Sequence, residues 1–173
     1  MKYQDLELVY NREFIASQVG RLGKEINHDY REREIIVVGV LKGAFIFLSD
    51  LVRHLTPPVK IDLVQLASYG SSASSSGIVE MRKDINLSIQ GKDVLIVEDI
   101  VDSGYSLEFL YQRLLSRGPR SLKTCVFLDK KERRAIPFDP NYVGIVVADR
   151  FLVGYGLDHD EKYRNLPEIY AVR

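Results

Sequence analysis

Val94-Leu-Ile-Val-Glu98-Asp99-Ile-Val-Asp102-Ser103-Gly104-Tyr105-Ser106 is an apolar run that ends in carboxylates and then breaks into a turn. Asp93–Val97 reads as a strand buried on both faces, because a continuous β-branched apolar run has no polar side to give to water. Glu98 and Asp99 close it, and Asp102, Ser103 and Gly104 form the turn. Ser106–Ser116 then reads as a helix, stopped near Gly118-Pro119. In open α/β sheets, ligands bind beyond the carboxyl ends of the strands. A helix start at that place offers free N–H groups and a positive dipole end, which suit a phosphate. Gly104 lets the backbone approach closely, and Ser103 and Ser106 add donors. Glu98 and Asp99 can accept from sugar hydroxyls or support Mg2+ through oxygen ligands. Capping by Asp102 or Ser103 would explain one of these residues. It would not explain three carboxylates between positions 98 and 102.

The same alternation extends in both directions. In Asn11–Asp29, Ile15, Val19, Leu22 and Ile26 fall on one helical face, with Asn11 placed to cap. Ile35–Val40 reads as a second buried strand. Ala44–Leu55 reads as a helix stopped by Thr56-Pro57-Pro58, and Ile61–Ala67, Ser121–Leu128 and Tyr142–Ala148 read as strands. Strands alternating with helices predict an α/β fold with a central parallel sheet flanked by helices. Ser68–Gly77, small and polar throughout, breaks the rhythm. It reads either as a surface linker or as an active-site cover.

Composition narrows the functional classes. A chain of 173 residues suits one domain, and such a domain buries roughly 70% of its unfolded surface without needing cross-links. A single cysteine, Cys125, forms no internal disulfide and fits a reducing compartment. It also excludes zinc sites built on several cysteines, and its place in an apolar strand marks it as core. With 24 basic and 24 acidic residues there is no basic excess for bulk nucleic-acid binding. Lys2, Asp5 and Glu7 interrupt the N-terminus, so it has no apolar signal core. The longest apolar stretches are too short to span a bilayer, and the expected location is cytoplasmic. His28, His54 and His159 show no metal-ligand spacing.

Val94–Ser106 resembles the diphosphate-sugar signature of the phosphoribosyltransferases. More narrowly, it is similar to the 6-oxopurine group, the hypoxanthine-guanine enzymes. The resemblance also covers Leu41-Lys42-Gly43, Ser68-Tyr69-Gly70, Asp129-Lys130 and the block from Asp149 through Asp158 to Arg164, in the family's order. It implies a type I phosphoribosyltransferase fold in one domain over residues 1–173. The core would cover about 30–128 and 142–150, with a small hood over the base site from the N-terminal and C-terminal regions. A flexible lid would lie at about 68–80, tipped by Ser68 and Tyr69. Implied substrates are 5-phosphoribosyl-1-diphosphate with hypoxanthine or guanine, giving IMP or GMP plus diphosphate, with Mg2+ as cofactor and a homodimer or homotetramer as the assembly.

The resemblance also assigns roles. Glu98, Asp99, Asp102, Ser103, Gly104, Tyr105 and Ser106 would bind the 5′-phosphate and ribose, with Asp102 as the general base. Leu41, Lys42, Gly43 and Arg164 would bind diphosphate. In the family the peptide joining the residues like Leu41 and Lys42 can be cis, and the sequence leaves the isomer open. Lys130 would read the 6-oxo group of the base, Phe151 would stack on it, and Leu152 and Asp158 would complete its site. Glu98, Asp99 and Asp158 would serve Mg2+. Lys131, Glu132 and Arg133 read as surface charges, while Arg134 is expected to reach toward the diphosphate. Ser103, where threonine is also common, keeps the hydroxyl, and Tyr105 occupies a variable position. Two other readings fit less well. An RNA-binding relative would carry a basic face. A phospho-accepting receiver module would carry its acidic pair after the first strand.

Overall fold

In the computed structural model, which describes residues 6–68 and 79–173, the chain begins with β1 (Leu6–Tyr10), α1 (Arg12–Tyr30), β2 (Ile35–Leu41) and α2 (Phe45–Val52). It continues with β3 (Val59–Ser68), β4 (Val79–Lys83), β5 (Asp93–Val101), α3 (Tyr105–Leu115) and β6 (Ser121–Asp129). It ends with a 3-10 turn at Lys131–Arg133, β7 (Tyr142–Val146), β8 (Leu152–Val153) and β9 (Ile169–Val172). Tyr69 and most of the expected lid lie outside the described residues, and Ser68 is the last residue of β3.

The large sheet has the order β4-β3-β2-β5-β6-β7. Every pair from β3 to β7 is parallel, and β4 alone runs antiparallel, on β3. The chain leaves β2 toward β3 on one side and returns to β5 on the other. The order therefore reverses between β2 and β5, and a crevice opens beyond their carboxyl ends. Leu41, Val101, Asp129 and Val146 end their strands on that same edge.

Side chains alternate across the strands, so each face feeds a separate core. On one face Ile35, Val37, Leu95 and Val97 pack against Ile15, Val19, Leu22 and Ile26 of α1 and Phe47 and Leu51 of α2. On the other, Ile36, Val38, Val94 and Ile96 meet Leu107, Leu110 and Leu114 of α3. The apolar stripe of α1 is thus the predicted one. Its cap is too: the Phe14 N–H donates to Asn11 Oδ1 at 2.9 Å. A second, small sheet of order β1-β9-β8 joins the two ends of the chain, pairing Leu6 with Val172 and Leu152 with Ala171. Only Leu6–Tyr10 of the N-terminal region enters it, while α1 lies in the main core.

Several boundaries differ from the sequence reading. α2 stops at Val52 rather than Leu55, and α3 starts one residue earlier, at Tyr105. β5 runs to Val101, so Glu98 and Asp99 are strand residues, not the strand's end. The ladder to β6 explains this, since it continues through Ile100–Leu128 and Val101–Asp129. Pairing with a neighbouring strand outweighs the poor strand preference of the carboxylates.

Far from the crevice, two buried carboxylates tie the sheet together. Asp93, wholly buried, accepts from Arg120 and from Ser121 Oγ at 2.6 Å, with Arg33 Nη1 at 3.2 Å. The Arg120 contact holds its carboxyl below the usual range against the opposing effect of burial. Asp62 accepts the N–H groups of Leu63, Asn86 and Leu87 at 2.6–2.8 Å. Burial alone would raise its pKa, but these donors and Lys83 outweigh it and lower it. A carboxyl lowered on folding stabilises the fold above its unfolded value, near 3.9, and loses that stabilisation as pH falls through the folded value. Urea unfolding should therefore show a stability contribution that is level from pH 7 to about 5 and declines below about pH 4. Asp93→Asn should lower stability at pH 7 and flatten that decline. An unchanged acid slope would remove Asp93 from the account.

Candidate active site

The turn after β5 is made by the residues the sequence singled out, but it is not capped by Asp102 or Ser103. Gly104 is the N-cap of α3, with φ +94°, and among the described residues no side chain caps the helix. The first N–H groups of α3 are thereby left facing a small hollow of about 110 Å3. Glu98, Ile100, Val101, Asp102, Ser103, Gly104, Ser106 and Leu107 line it. Orphan N–H donors, two hydroxyls and a helix dipole converge on a space suited to one phosphate group.

The adjoining carboxylates lie against each other but meet different neighbours. Glu98 lines the phosphate-sized hollow, whereas Asp99 lies on Gly43, where an added Cβ would overlap its carboxylate. Glu98 Oε1 accepts the Asp99 N–H at 3.1 Å, and Asp99 Oδ1 accepts the Ile100 N–H at 2.8 Å. Neither forms an ion pair among the described residues. Burial, joined by the neighbouring Asp99 charge, raises the pKa of Glu98 well above its usual value, and burial raises Asp99 as well.

Leu41-Lys42-Gly43 follows β2, with a cis peptide between Leu41 and Lys42. The C-terminal loop packs on it: a Cβ at Gly156 would overlap the Gly43 carbonyl. Lys42 Nζ meets Glu161 Oε2 at 2.9 Å. Arg164 Nη2 lies 2.8 Å from Asp158 Oδ1 and 3.5 Å from Glu161 Oε2, and its Nη1 donates to the Gly156 carbonyl at 2.9 Å. The expected diphosphate cations Lys42 and Arg164 are therefore drawn to one carboxylate, Glu161, which the sequence reading did not single out.

Beyond β6, Lys130 is buried, 6% exposed, with Nζ 3.7 Å from Asp149 Oδ1. Phe151 is 52% exposed, an unusual state for a phenylalanine, and meets His159 edge-on with centroids 5.2 Å apart. Leu152 is buried in β8. Arg134 turns inward, to the Asp129 carboxylate and the Phe138 carbonyl at 2.8 Å, rather than toward the crevice. Its neighbour Arg133 is not a free surface charge: its Nε lies 3.0 Å from Asp102 Oδ1. A larger hollow of about 430 Å3 between α1, α2 and Asn165–Pro167 holds none of these groups.

Among the described residues, no three His, Cys, Asp or Glu side chains are grouped to hold a metal. Mg2+ is commonly held by one or two carboxylates together with substrate phosphates. The Glu98–Asp99 pair, Glu98 buried and Asp99 half-buried, with neither in an ion pair among the described residues, fits that mode.

The chain matches the phosphoribosyl transferase domain family over residues 7–160. It is 50% identical over 168 residues to the hypoxanthine-guanine phosphoribosyltransferase of Aquifex aeolicus, covering 96% of this chain and 94% of that protein. The crystal structure of a hypoxanthine-guanine phosphoribosyltransferase from Bacillus anthracis superposes with a TM-score of 0.92 at 43% identity, covering 96% of this chain and 98% of that one. A mutant hypoxanthine phosphoribosyltransferase of Trypanosoma cruzi, solved as a ternary substrates complex, gives 0.92 at 39% identity, covering 99% and 97%.

The Gly43 contact generates a direct test. Gly43→Ala should displace the Asp99 carboxylate and lower kcat/KM roughly 100-fold, the scale of a misplacement of about 1 Å in an active site. Activity at the level of the unsubstituted protein would show that Asp99 moves aside without consequence.

Proposed function

This chain belongs to the phosphoribosyl transferase family, in its hypoxanthine-guanine branch, and is an enzyme of purine salvage; from that premise we propose how its own residues carry the transfer. The 5-phosphoribosyl group of 5-phosphoribosyl-1-diphosphate passes to hypoxanthine or guanine, giving IMP or GMP and diphosphate. The observation that carries this assignment is the uncapped start of α3 over a phosphate-sized hollow, beside the β2–β5 break.

The N–H groups of the Asp102–Ser106 turn and the Ser103 and Ser106 hydroxyls hold the 5′-phosphate. Glu98 and Asp99 accept hydrogen bonds from the ribose hydroxyls. Lys42 and Arg164, with the backbone of Leu41–Gly43, take the diphosphate, which replaces the Glu161 carboxylate as their anion. Phe151 stacks on the purine face, Leu152 and Asp158 border its edge, and Lys130 donates to the 6-oxo oxygen. Asp102 takes the proton from the purine imidazole ring as a ring nitrogen attacks the anomeric carbon and diphosphate leaves. Glu98, Asp99 or Asp158 would hold Mg2+, which when bound would supply positive charge to stabilise the diphosphate leaving group. The small sheet acts as a hood over the base. The assembly is a homodimer or homotetramer, and the enzyme works in the cytoplasm.

An oxo group accepts and an amino group donates, so Lys130 favours oxopurines over adenine. A buried donor left unpaired costs about 1–3 kcal/mol, or roughly 5- to 150-fold in kcat/KM. A spectrophotometric assay with 5-phosphoribosyl-1-diphosphate and Mg2+ should show turnover of hypoxanthine and guanine, and none of adenine or uracil. Lys130→Ala should lose discrimination by about that factor. Asp102→Asn should lower kcat about 100- to 10,000-fold and KM little. Equal losses in kcat and in substrate affinity would remove the general-base role.

A further inference from the structure

We propose that Arg133 is a positioning residue that fixes one oxygen of Asp102 and leaves the other to accept the purine proton, with Asp149 anchoring Arg133 in turn. The proposal rests on the reading of Asp102 as general base.

Arg133 is aimed by backbone geometry. It closes the 3-10 turn that starts after Lys130, its N–H donating to the Lys130 carbonyl at 3.1 Å. That turn is clamped to the phosphate turn on both sides. The Lys130 N–H donates to the Val101 carbonyl, and the Ala135 N–H to the Ser103 carbonyl, each at 3.0 Å. The clamps hold the turn against the phosphate turn, and of the side chains between them Arg133 is the one that meets Asp102.

The contacts fit a holding role. Arg133 Nε lies 3.0 Å from Asp102 Oδ1, an ion contact that lacks the alignment of a hydrogen bond. Oδ1 is buried, yet the Asp102 side chain as a whole is 43% exposed and lines the hollow after β5, so the carboxylate oxygen left open is Oδ2. Arg133 Nη1 reaches Asp149 Oδ1 at 3.4 Å, the same oxygen that lies 3.7 Å from Lys130 Nζ. One carboxylate thus ties the group that holds the proton acceptor to the group that reads the oxo oxygen. The planar guanidinium can span both carboxylates at once, which a lysine ammonium does poorly. Asp149 also balances the Arg133 charge, so Asp102 does not face an uncompensated cation. Because Arg133 and Asp149 are both partly exposed, their pair contributes little to stability, and a purely structural role predicts little effect of removing it.

The test is a double-mutant cycle on kcat. Arg133→Met and Arg133→Lys are made in the unsubstituted enzyme and in Asp102→Asn, and assayed with guanine and 5-phosphoribosyl-1-diphosphate. Arg133→Met should lower kcat about 10- to 100-fold with both KM values within about twofold, and Arg133→Lys should recover part of the loss. In the Asp102→Asn background Arg133→Met should cost nothing further, because its target is gone. The same fold loss in both backgrounds, or a shift confined to KM, overturns the proposal. Full kcat in Asp102→Asn alone would overturn the general-base reading itself. Should Arg133→Met fail to fold, Arg133→Lys and Arg133→Gln run the same cycle.

Discussion

At Gly43 three segments meet with no room for a side chain. The loop after β2, the Asp99 carboxylate of β5 and Gly156 of the C-terminal loop pack against one backbone unit. This close approach packs the loop after β2, β5 and the C-terminal loop together at the carboxyl edge of the sheet. It brings Lys42 beside Glu161 and Arg164, and it holds the Asp99 carboxylate against Gly43, next to Glu98, which lines the phosphate-sized hollow. The parallel sheet supplies the edge, and the reversal of strand order between β2 and β5 supplies the gap.

Charge is arranged there with some economy. The cations of the crevice are partnered by carboxylates: Lys42 by Glu161, Arg164 by Asp158 and Glu161, and Arg133 by Asp102 and Asp149. Exposed pairs of this kind add little to stability. An incoming anion replaces one partner with another rather than meeting a bare positive surface. The Glu98–Asp99 pair is the converse case. Side by side and without an ion pair among the described residues, both carboxyls are shifted up, burial first and their mutual repulsion second for Glu98. Hydroxyl donors or a divalent cation favour their charged forms.

Much of this was legible in the sequence, and the exceptions have physical reasons. The α1 stripe and its Asn11 cap follow a regular period, so they read correctly. β5 runs beyond Val97 because its ladder to β6 carries the carboxylates along, a tertiary effect that no local pattern signals. β8 and β9 are very short, and the pairing of Leu6 with Val172 joins opposite ends of the chain, beyond the reach of any local period. In the site, the residues carrying the family resemblance could be named in advance. Arg133 could not be told from its neighbours inside the charged run Asp129–Arg134. Only the 3-10 turn, clamped to the phosphate turn, sends Arg133 to Asp102 and Arg134 to Asp129. His159 adjoins Asp158 in sequence, and that adjacency was the one hint of its contact with Phe151.

The central claim is that the crevice between the carboxyl ends of β2 and β5 holds the phosphorylated sugar. Hydrogen–deuterium exchange followed by mass spectrometry, with and without 5-phosphoribosyl-1-diphosphate and Mg2+, tests it most directly. The account predicts slowed exchange at the amides of Asp102–Ser106 and Leu41–Gly43, with the α1–α2 hollow around His54 and Leu166 unchanged. Slowed exchange confined to that hollow, with the Asp102–Ser106 amides unaffected, would contradict it.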